Sequence, residues 1–311
     1  MRLRVRGYRA GDLERRYASL AVEEDTFVNY GFLTRANQAL MHPRVLRTHW
    51  SPAVWKRARA LIEFVRERGE ARARDVDPRF APGRVKNGWG GSSSAVSQLL
   101  DELHYRGLLR VTRRENGLRV YGVQEHGPAP EDVEANLDAL VDLVVEKYAP
   151  LPATSLSTLV SRLRYAAPQH TGGRRGALDR ARKRLGQARI DGVDWYWPAK
   201  EQPHARSSLG DEVRLLAPFD PLVWDRRRFE KFWGWAYRFE AYTPVQKRKL
   251  GYYALPLLWH EELIGWGNLA QVDGALKSDF GFVSGKVPRA PAFRRELEAE
   301  LDRIRRFLTV G

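Results

Sequence analysis

Three features of the sequence predict an α+β fold. Residues 86–123 read as an amphipathic helix followed by a two-stranded hairpin. A helix–helix–helix–strand array of similar length follows at 131–200. Beyond 210 the composition turns aromatic and β-rich. Together they predict tandem winged-helix units, then a small C-terminal β-barrel or sheet domain with a terminal helix. The expected divisions are 1–50, which packs on its C-terminal neighbour; 51–125, a winged helix; 131–200, a winged-helix-like unit; and 211–311, the β-barrel domain.

Taken in order, 13–22 and 32–40 read as short helices, with Met41-His42-Pro43 as a break. Ser51-Pro52 is a helix start, serine as N-cap and proline at the first helical position. Val54, Trp55, Ala58, Leu61, Ile62 and Val65 then form one apolar face, and Gly69 ends the helix. Residues 70–76 read as a short second helix. Ser92, Ser93 and Ser94 are N-cap candidates for a third helix. Its apolar face is Val96, Leu99, Leu100 and Leu103, at i, i+3, i+4 and i+7. Segments 108–112 and 118–123 flank Asn116-Gly117, a strong short-range hairpin signal.

Residues 125–130 read as a linker. Helices are expected at 131–148, 154–166 and 172–186, with a β segment at 190–197. A polar linker at 200–210 precedes expected strands at 213–216, 236–243, 251–259, 262–268 and 275–283. The final helix, 292–308, carries Phe293, Leu297, Leu301, Ile304 and Leu308.

The chain of 311 residues has 53 Lys and Arg against 38 Asp and Glu, a formal net charge of +15. Such an excess points to a polyanionic partner, nucleic acid first. The chain has no cysteine, which excludes disulfides, thiolate metal sites and a cysteine nucleophile. The seven histidines are scattered without metal-ligand spacing, and His49, His104 and His260 read as core or surface. No metal and no cofactor is expected. No apolar run is long enough to span a membrane. The N-terminal segment lacks an apolar signal core, so a cytoplasmic protein is expected. A monomer is the default.

The run LLAPFDPLVWDRRR at 215–228, with YTPVQKRKLGYYALPLL at 242–258, closely resembles the YcaQ/AlkZ family of winged-helix DNA glycosylases. The pattern at 88–123 also fits that family's central winged helix. The resemblance covers roughly 5–310. It implies tandem winged-helix units and a C-terminal β-barrel that hold duplex DNA in a basic groove, and it makes 1–50 the remnant of a first winged-helix unit. It also implies hydrolysis of the N-glycosidic bond of alkylated bases, including interstrand crosslinks. Members use a Gln-apolar-Asp or Gln-apolar-Gln motif to activate water. In this sequence Met1 falls just after the place where that motif belongs. Gln271-Val272-Asp273 sits in a predicted turn and reads as chance. Asn29, Tyr30 and Gly31 stand where the family carries Trp-x-His, and Gly265-Trp266-Gly267-Asn268 where it carries Gly-Arg-x-Asp. The expectation is a double-stranded DNA-binding member with base excision lost or altered and catalytic residues unknown. The alternative is an active glycosylase.

The expected DNA-binding residues fall in three groups. Lys86, Trp89, Ser92, Ser93, Ser94 and Ser97 surround the start of the third helix, and Arg113, Arg114 and Arg119 lie on the wing. Trp89 could stack on a base, although packing between helices is preferred. Arg174, Arg175, Arg182 and Lys183, with Arg180 and Arg184 beside them, lie on or before a recognition-type helix where phosphate contact is the favoured reading. Lys247, Arg248 and Lys249 mark a predicted strand junction where phosphate contact and a plain exposed turn are equally good readings. Asp220-Pro221 reads as a structural helix start. Glu23, Glu24 and Asp25 are the acidic cluster near the place of the missing motif; a general base that orients water is one reading, and a solvated loop is the preferred one.

Overall fold

A computed structural model describes residues 1–46, 48–76, 80–86, 91–127, 132–202 and 210–308. The chain divides into two compact units. The middle unit holds Leu13–Val144 and Leu156–Leu185; the terminal unit holds Met1–Asp12, Val145–Ser155 and Gly186–Gly311. The segment 131–200 is therefore shared between them.

The middle unit begins with a short helix, α1 (Asp12–Arg16), and an antiparallel pair, β1 (Val22–Thr26) and β2 (Tyr30–Thr34). Of the helix expected at 13–22, residues 13–19 are helical, and of the one expected at 32–40 only Arg35–Ala39 is, its first residues lying in β2. After α1 the chain makes a single 3-10 turn, and Val22–Thr26 becomes a strand because its side chains are captured on both faces, as shown below. Helix α2 (Arg35–Ala39) starts at Thr34, whose hydroxyl accepts from the Asn37 amide. Helix α3 (Pro52–Arg68) has the expected start, with Ser51 accepting from the Val54 amide, and it stops at Gly69 at φ +76°. Ala58, Leu61 and Val65 form its buried face.

The short helix expected at 70–76 is absent. Ala71 exchanges two backbone hydrogen bonds with Tyr121, each 2.9 Å, which draws the chain into an extended bridge before a 3-10 turn at Ala73–Asp75. A two-stranded ribbon follows, β3 (Arg84–Lys86) with β4 (Ser92–Ser94). The serines expected to cap a helix thus spend their backbone in a ladder, and Ser94 makes no side-chain cap to α4 (Ala95–Tyr105). The apolar face of α4 is as expected: Val96, Leu99, Leu100 and Leu103 are buried. Full burial of one such leucine contributes about 2 kcal/mol of transfer free energy, enough to hold an 11-residue helix that would not persist alone. Strands β5 (Leu109–Glu115) and β6 (Leu118–Val123) form the expected hairpin. Its turn, Asn116-Gly117, has φ +50° and +79°, the left-handed pair that a tight hairpin requires. The faces of α3, α4, β5 and β6 meet in one core with Tyr17.

Helix α5 (Val133–Tyr148) buries Leu137, Leu140, Val141 and Val144. It leads to β7 (Leu151–Pro152), α6 (Ala153–Ala166) and α7 (Arg174–Arg184). Strands β8 (Gly186–Ile190) and β9 (Val193–Trp197) form a hairpin turned by Asp191-Gly192, with β7 on the other edge of β9.

In the terminal unit, β10 (Val213–Leu215) is followed by α8 (Pro221–Trp224) and α9 (Arg226–Trp233). Asp220 caps α8 through the Leu222 amide at 3.0 Å, as the Asp-Pro pair predicts. The strand expected at 236–243 does not form; Glu240 turns inward and organises a loop instead. Strands β11 (Leu255–Trp259), β12 (Glu262–Val272) and β13 (Ala275–Phe282) complete an antiparallel meander in the order β10-β11-β12-β13. Among the described residues β10 and β13 do not pair, so this is an open four-stranded sheet and the expected barrel is not seen. Helix α10 (Pro291–Leu308) covers it with Phe293 and Ile304 against Val213, Leu215 and Leu257. Glu300, fully buried on α10, accepts from the Leu215 amide at 3.0 Å and from Arg2 and Arg303 at 2.8 Å. No described helix is long and apolar enough to cross a membrane.

Candidate nucleic-acid interface

The hairpin arginines are held by carboxylates of their own unit. Arg113 pairs with Glu70 and, at 2.7 Å, with Glu115. Arg114 grips Glu24 through two parallel bonds of 2.8 and 2.7 Å and donates to the Gly117 carbonyl. Arg119 pairs with Asp101 at 2.6 Å and lies over the Tyr30 ring. These contacts fix the hairpin on the unit and leave little of each cation for phosphate. Lys86 and Ser92 are register partners on the β3–β4 ribbon, and both are exposed. Arg84 donates to the Ser92 hydroxyl at 2.9 Å, Ser94 is exposed, and Ser93 and Ser97 are half-buried. Trp89 lies outside the described residues.

Helix α7 divides its charge between two faces. Arg180 makes a bidentate pair with Asp138, both bonds 2.9 Å, and Arg184 pairs with Asp142 at 2.7 Å, so these two tie α7 to α5. Arg175 and Lys183 are exposed and make no ion pair among the described residues. Arg182, seven residues after Arg175, meets Asp179 at 3.6 Å as its one ion pair among the described residues. Arg174 donates to the Ser161 carbonyl at 3.3 Å. The exposed cations of α7 therefore stand on the side away from α5.

The acidic run at 23–25 is buried, contrary to the solvated loop expected. Glu23, Glu24 and Asp25 are each no more than 2% exposed in β1. Glu23 accepts from Arg35 and Arg110, and Glu24 from Arg114 and Tyr30. Asp25 accepts from His42 Nε2 at 2.6 Å, Arg44 Nη1 at 2.8 Å and Gln38 Nε2 at 3.2 Å. Arg44, itself buried, also donates to the carbonyls of Thr26, Tyr105 and Ala166. Burial works to raise the Asp25 carboxyl, but the His42 hydrogen bond and the Arg44 charge hold it well below the usual carboxylate range. Burial pushes His42 down, against the opposing pull of Asp25. Its imidazole is then neutral, with Nε2–H donated to Asp25. Nδ1 is left as a buried acceptor with no donor among the described residues. His42 stacks on His126 at 4.6 Å between centroids.

The sequence reading missed a second cationic feature, in the terminal unit. A cleft of about 600 Å³ is lined by Arg2, Arg4, Arg6, Arg9, Arg214, Arg303 and Arg306. Arg2 and Arg303 share Glu300, Arg4 pairs with Asp220, and Arg214 with Glu212. Arg6, Arg9 and Arg306 are exposed and make no ion pair among the described residues. The signal was present as the alternating arginines of MRLRVRGYR, but nothing local says that α10 supplies the opposite wall.

Of the other expected site residues, Lys247 and Lys249 are exposed, and Arg248 lies over the Tyr252 ring at 5.0 Å. Asp273 sits at φ +52° in the turn between β12 and β13, as a hairpin residue would. Asn268 donates to the Leu250 carbonyl at 2.8 Å and so braces a loop. Among the described residues no group of three or more His, Asp or Glu could hold a metal. The family model for AlkZ-like DNA glycosylases matches residues 1–307.

Proposed function

The chain belongs to the AlkZ-like DNA glycosylase family, and from that premise we propose that it binds double-stranded DNA with base excision lost or altered. The arginine-lined cleft of the terminal unit carries the binding half of this reading. Among the described residues three of its seven guanidinium groups have no carboxylate and are left for an outside anion, and clustered arginines without a base-edge geometry suit phosphate. The exposed cations of α7, with Lys86, Lys247 and Lys249, extend the same chemistry. The α3–α4–hairpin array, with Ala71 bridged to Tyr121, supports reading 51–125 as a winged helix, and the helices α5, α6 and α7 followed by the β8–β9 hairpin are the basis for reading 131–200 as a second such unit. In that scheme 1–50 belongs to a first such unit, and 211–311 forms the C-terminal domain.

The excision half rests on the acidic run. A general base needs a carboxylate that can reach a water and take its proton. Glu23, Glu24 and Asp25 are each buried and saturated by cations, and Asp25 is held strongly ionised. Such groups orient the fold, and their burial keeps them from an outside water. A second reading, an active glycosylase that hydrolyses the N-glycosidic bond of alkylated or crosslinked bases, is favoured by the family match itself. An alkylated duplex treated with the protein and then with alkali separates the two. The proposal expects no protein-dependent strand break; breaks above the untreated control establish the glycosylase.

A further inference from the structure

The segment 234–254 runs about twenty residues from α9 to β11 with only one 3-10 turn, at Val245–Lys247. A loop of that length inside a compact unit is usually functional. This one is tightly built. Glu240, buried, accepts from the successive amides of Lys249, Leu250 and Gly251 at 2.8, 2.7 and 3.4 Å. Asn268 fastens the Leu250 carbonyl, and Tyr237 donates to the Ala254 carbonyl at 2.7 Å. Gly251, at φ +123°, has no room for a Cβ, which would stand 2.2 Å from Asn268.

What this scaffold holds up is aromatic. Tyr242 is 84% exposed, Phe219 58% and Tyr253 43%. All three rings pack on Phe239, at centroid distances of 6.1, 5.2 and 5.2 Å. Exposed rings in a fixed cluster are costly in water and gain nothing for the core. The loop also carries Arg238, Lys247, Arg248 and Lys249 against one carboxylate, Glu240, which is turned inward. The clasp on the amides of 249–251 draws the cationic turn back beside residue 240, next to Phe239.

We propose that this loop is a stacking site for unpaired nucleobases, with Tyr242 and Tyr253 meeting base faces and Lys247 and Lys249 the adjoining phosphates. Cations interleaved with open aromatic faces are the chemistry that holds single-stranded nucleic acid. In an intact duplex each base face is covered by its neighbours, so the rings find partners only where a strand is gapped, bulged or unstacked. The inference rests on the DNA-binding reading above and adds which state of DNA is preferred.

Fluorescence anisotropy with the full chain tests it, on a paired duplex and on the same duplex with a central gap of several thymidines. The expected result is a preference for the gapped duplex of about tenfold, the range one or two stacked bases give. Tyr242→Leu combined with Tyr253→Leu should reduce that preference to about twofold or less, with affinity for the paired duplex unchanged. Phenylalanine at both positions should keep it. Tyr242→Leu alone, at the most exposed ring, covers the case in which the double variant misfolds, and should lower the preference by itself. Equal affinity of the wild type for both duplexes overturns the inference and leaves duplex binding standing. So does a gap preference that the leucine variants retain, which gives the rings to another partner such as a protein. Binding to the gapped duplex without binding to the paired one overturns the duplex reading and keeps this one. Binding to neither overturns both.

Discussion

Arg114 and Glu24 meet through two parallel hydrogen bonds, 2.8 and 2.7 Å long, with the carboxylate only 1% exposed. This pair joins the hairpin β5–β6 to β1 and gives it an internal anchor. Arg114→Ala strands a buried carboxylate, so it should cost about 3 kcal/mol in chemical denaturation. Arg114→Gln with Glu24→Gln should recover a large part of that loss, because no uncompensated charge remains. If Arg114→Ala left stability unchanged and only weakened DNA binding, the arginine would belong to phosphate after all.

Gly107 closes α4 at φ +79°, and a Cβ there would stand 2.3 Å from His42 Nδ1 and 2.5 Å from His126 Nε2. Gly107→Ala therefore combines backbone strain with the displacement of two stacked rings. It should destabilise the protein by about 2 kcal/mol or more. Thermal unfolding measures this; a shift smaller than that of Gly117→Ala, whose Cβ meets nothing, would contradict the packing described.

Burial lowers His42, His104 and His170 from the 6.5 of an ordinary histidine, so each is held neutral in the fold. As pH falls through 6.5, the unfolded chain takes up protons that the folded chain refuses, and stability falls with it. Glu24 and Asp25 act in the same direction at lower pH. Burial opposes their charge, but Arg114, His42 and Arg44 hold both below ordinary carboxylates, and their contribution is lost only in stronger acid. The melting temperature should drop between pH 7.5 and 5, and His104→Gln should flatten the drop. A flat or rising profile over that range would contradict the neutral-histidine assignment.

Much of the middle unit was legible in the sequence because its signals are local. Asn116-Gly117, the Val96–Leu103 spacing and Ser51-Pro52 each specify a turn, face or cap within a few residues, as Asp220-Pro221 does in the terminal unit. Glu23, Glu24 and Asp25 were illegible for the opposite reason. The groups that hold them, the cations Arg35, Arg44, Arg110 and Arg114 and the neutral donor His42, lie 12 to 90 residues away in sequence. The same holds for the cationic cleft, where the N-terminal arginines face α10. The missing strand at 236–243 has a similar cause. Glu240 binds amides nine to eleven residues ahead, and alternating hydropathy does not register a carboxylate that folds a loop around itself.

The unpaired arginines of the cleft make a separate prediction. Arg6→Ala, Arg9→Ala and Arg306→Ala should each weaken duplex binding about equally on all sequences and lower the salt slope by about one unit. Their melting temperatures should match the wild type, since none supports the core. A change confined to one sequence would point instead to base-edge reading.

The central claim is that this chain holds duplex DNA through phosphate contacts, and the salt dependence of its affinity tests that most directly. Neutralising several phosphates releases condensed counterions. The dissociation constant for a paired duplex should therefore rise by about a hundredfold or more between about 50 and 200 mM salt. An affinity that stays level across that range, or no binding at the lower salt, would contradict the account.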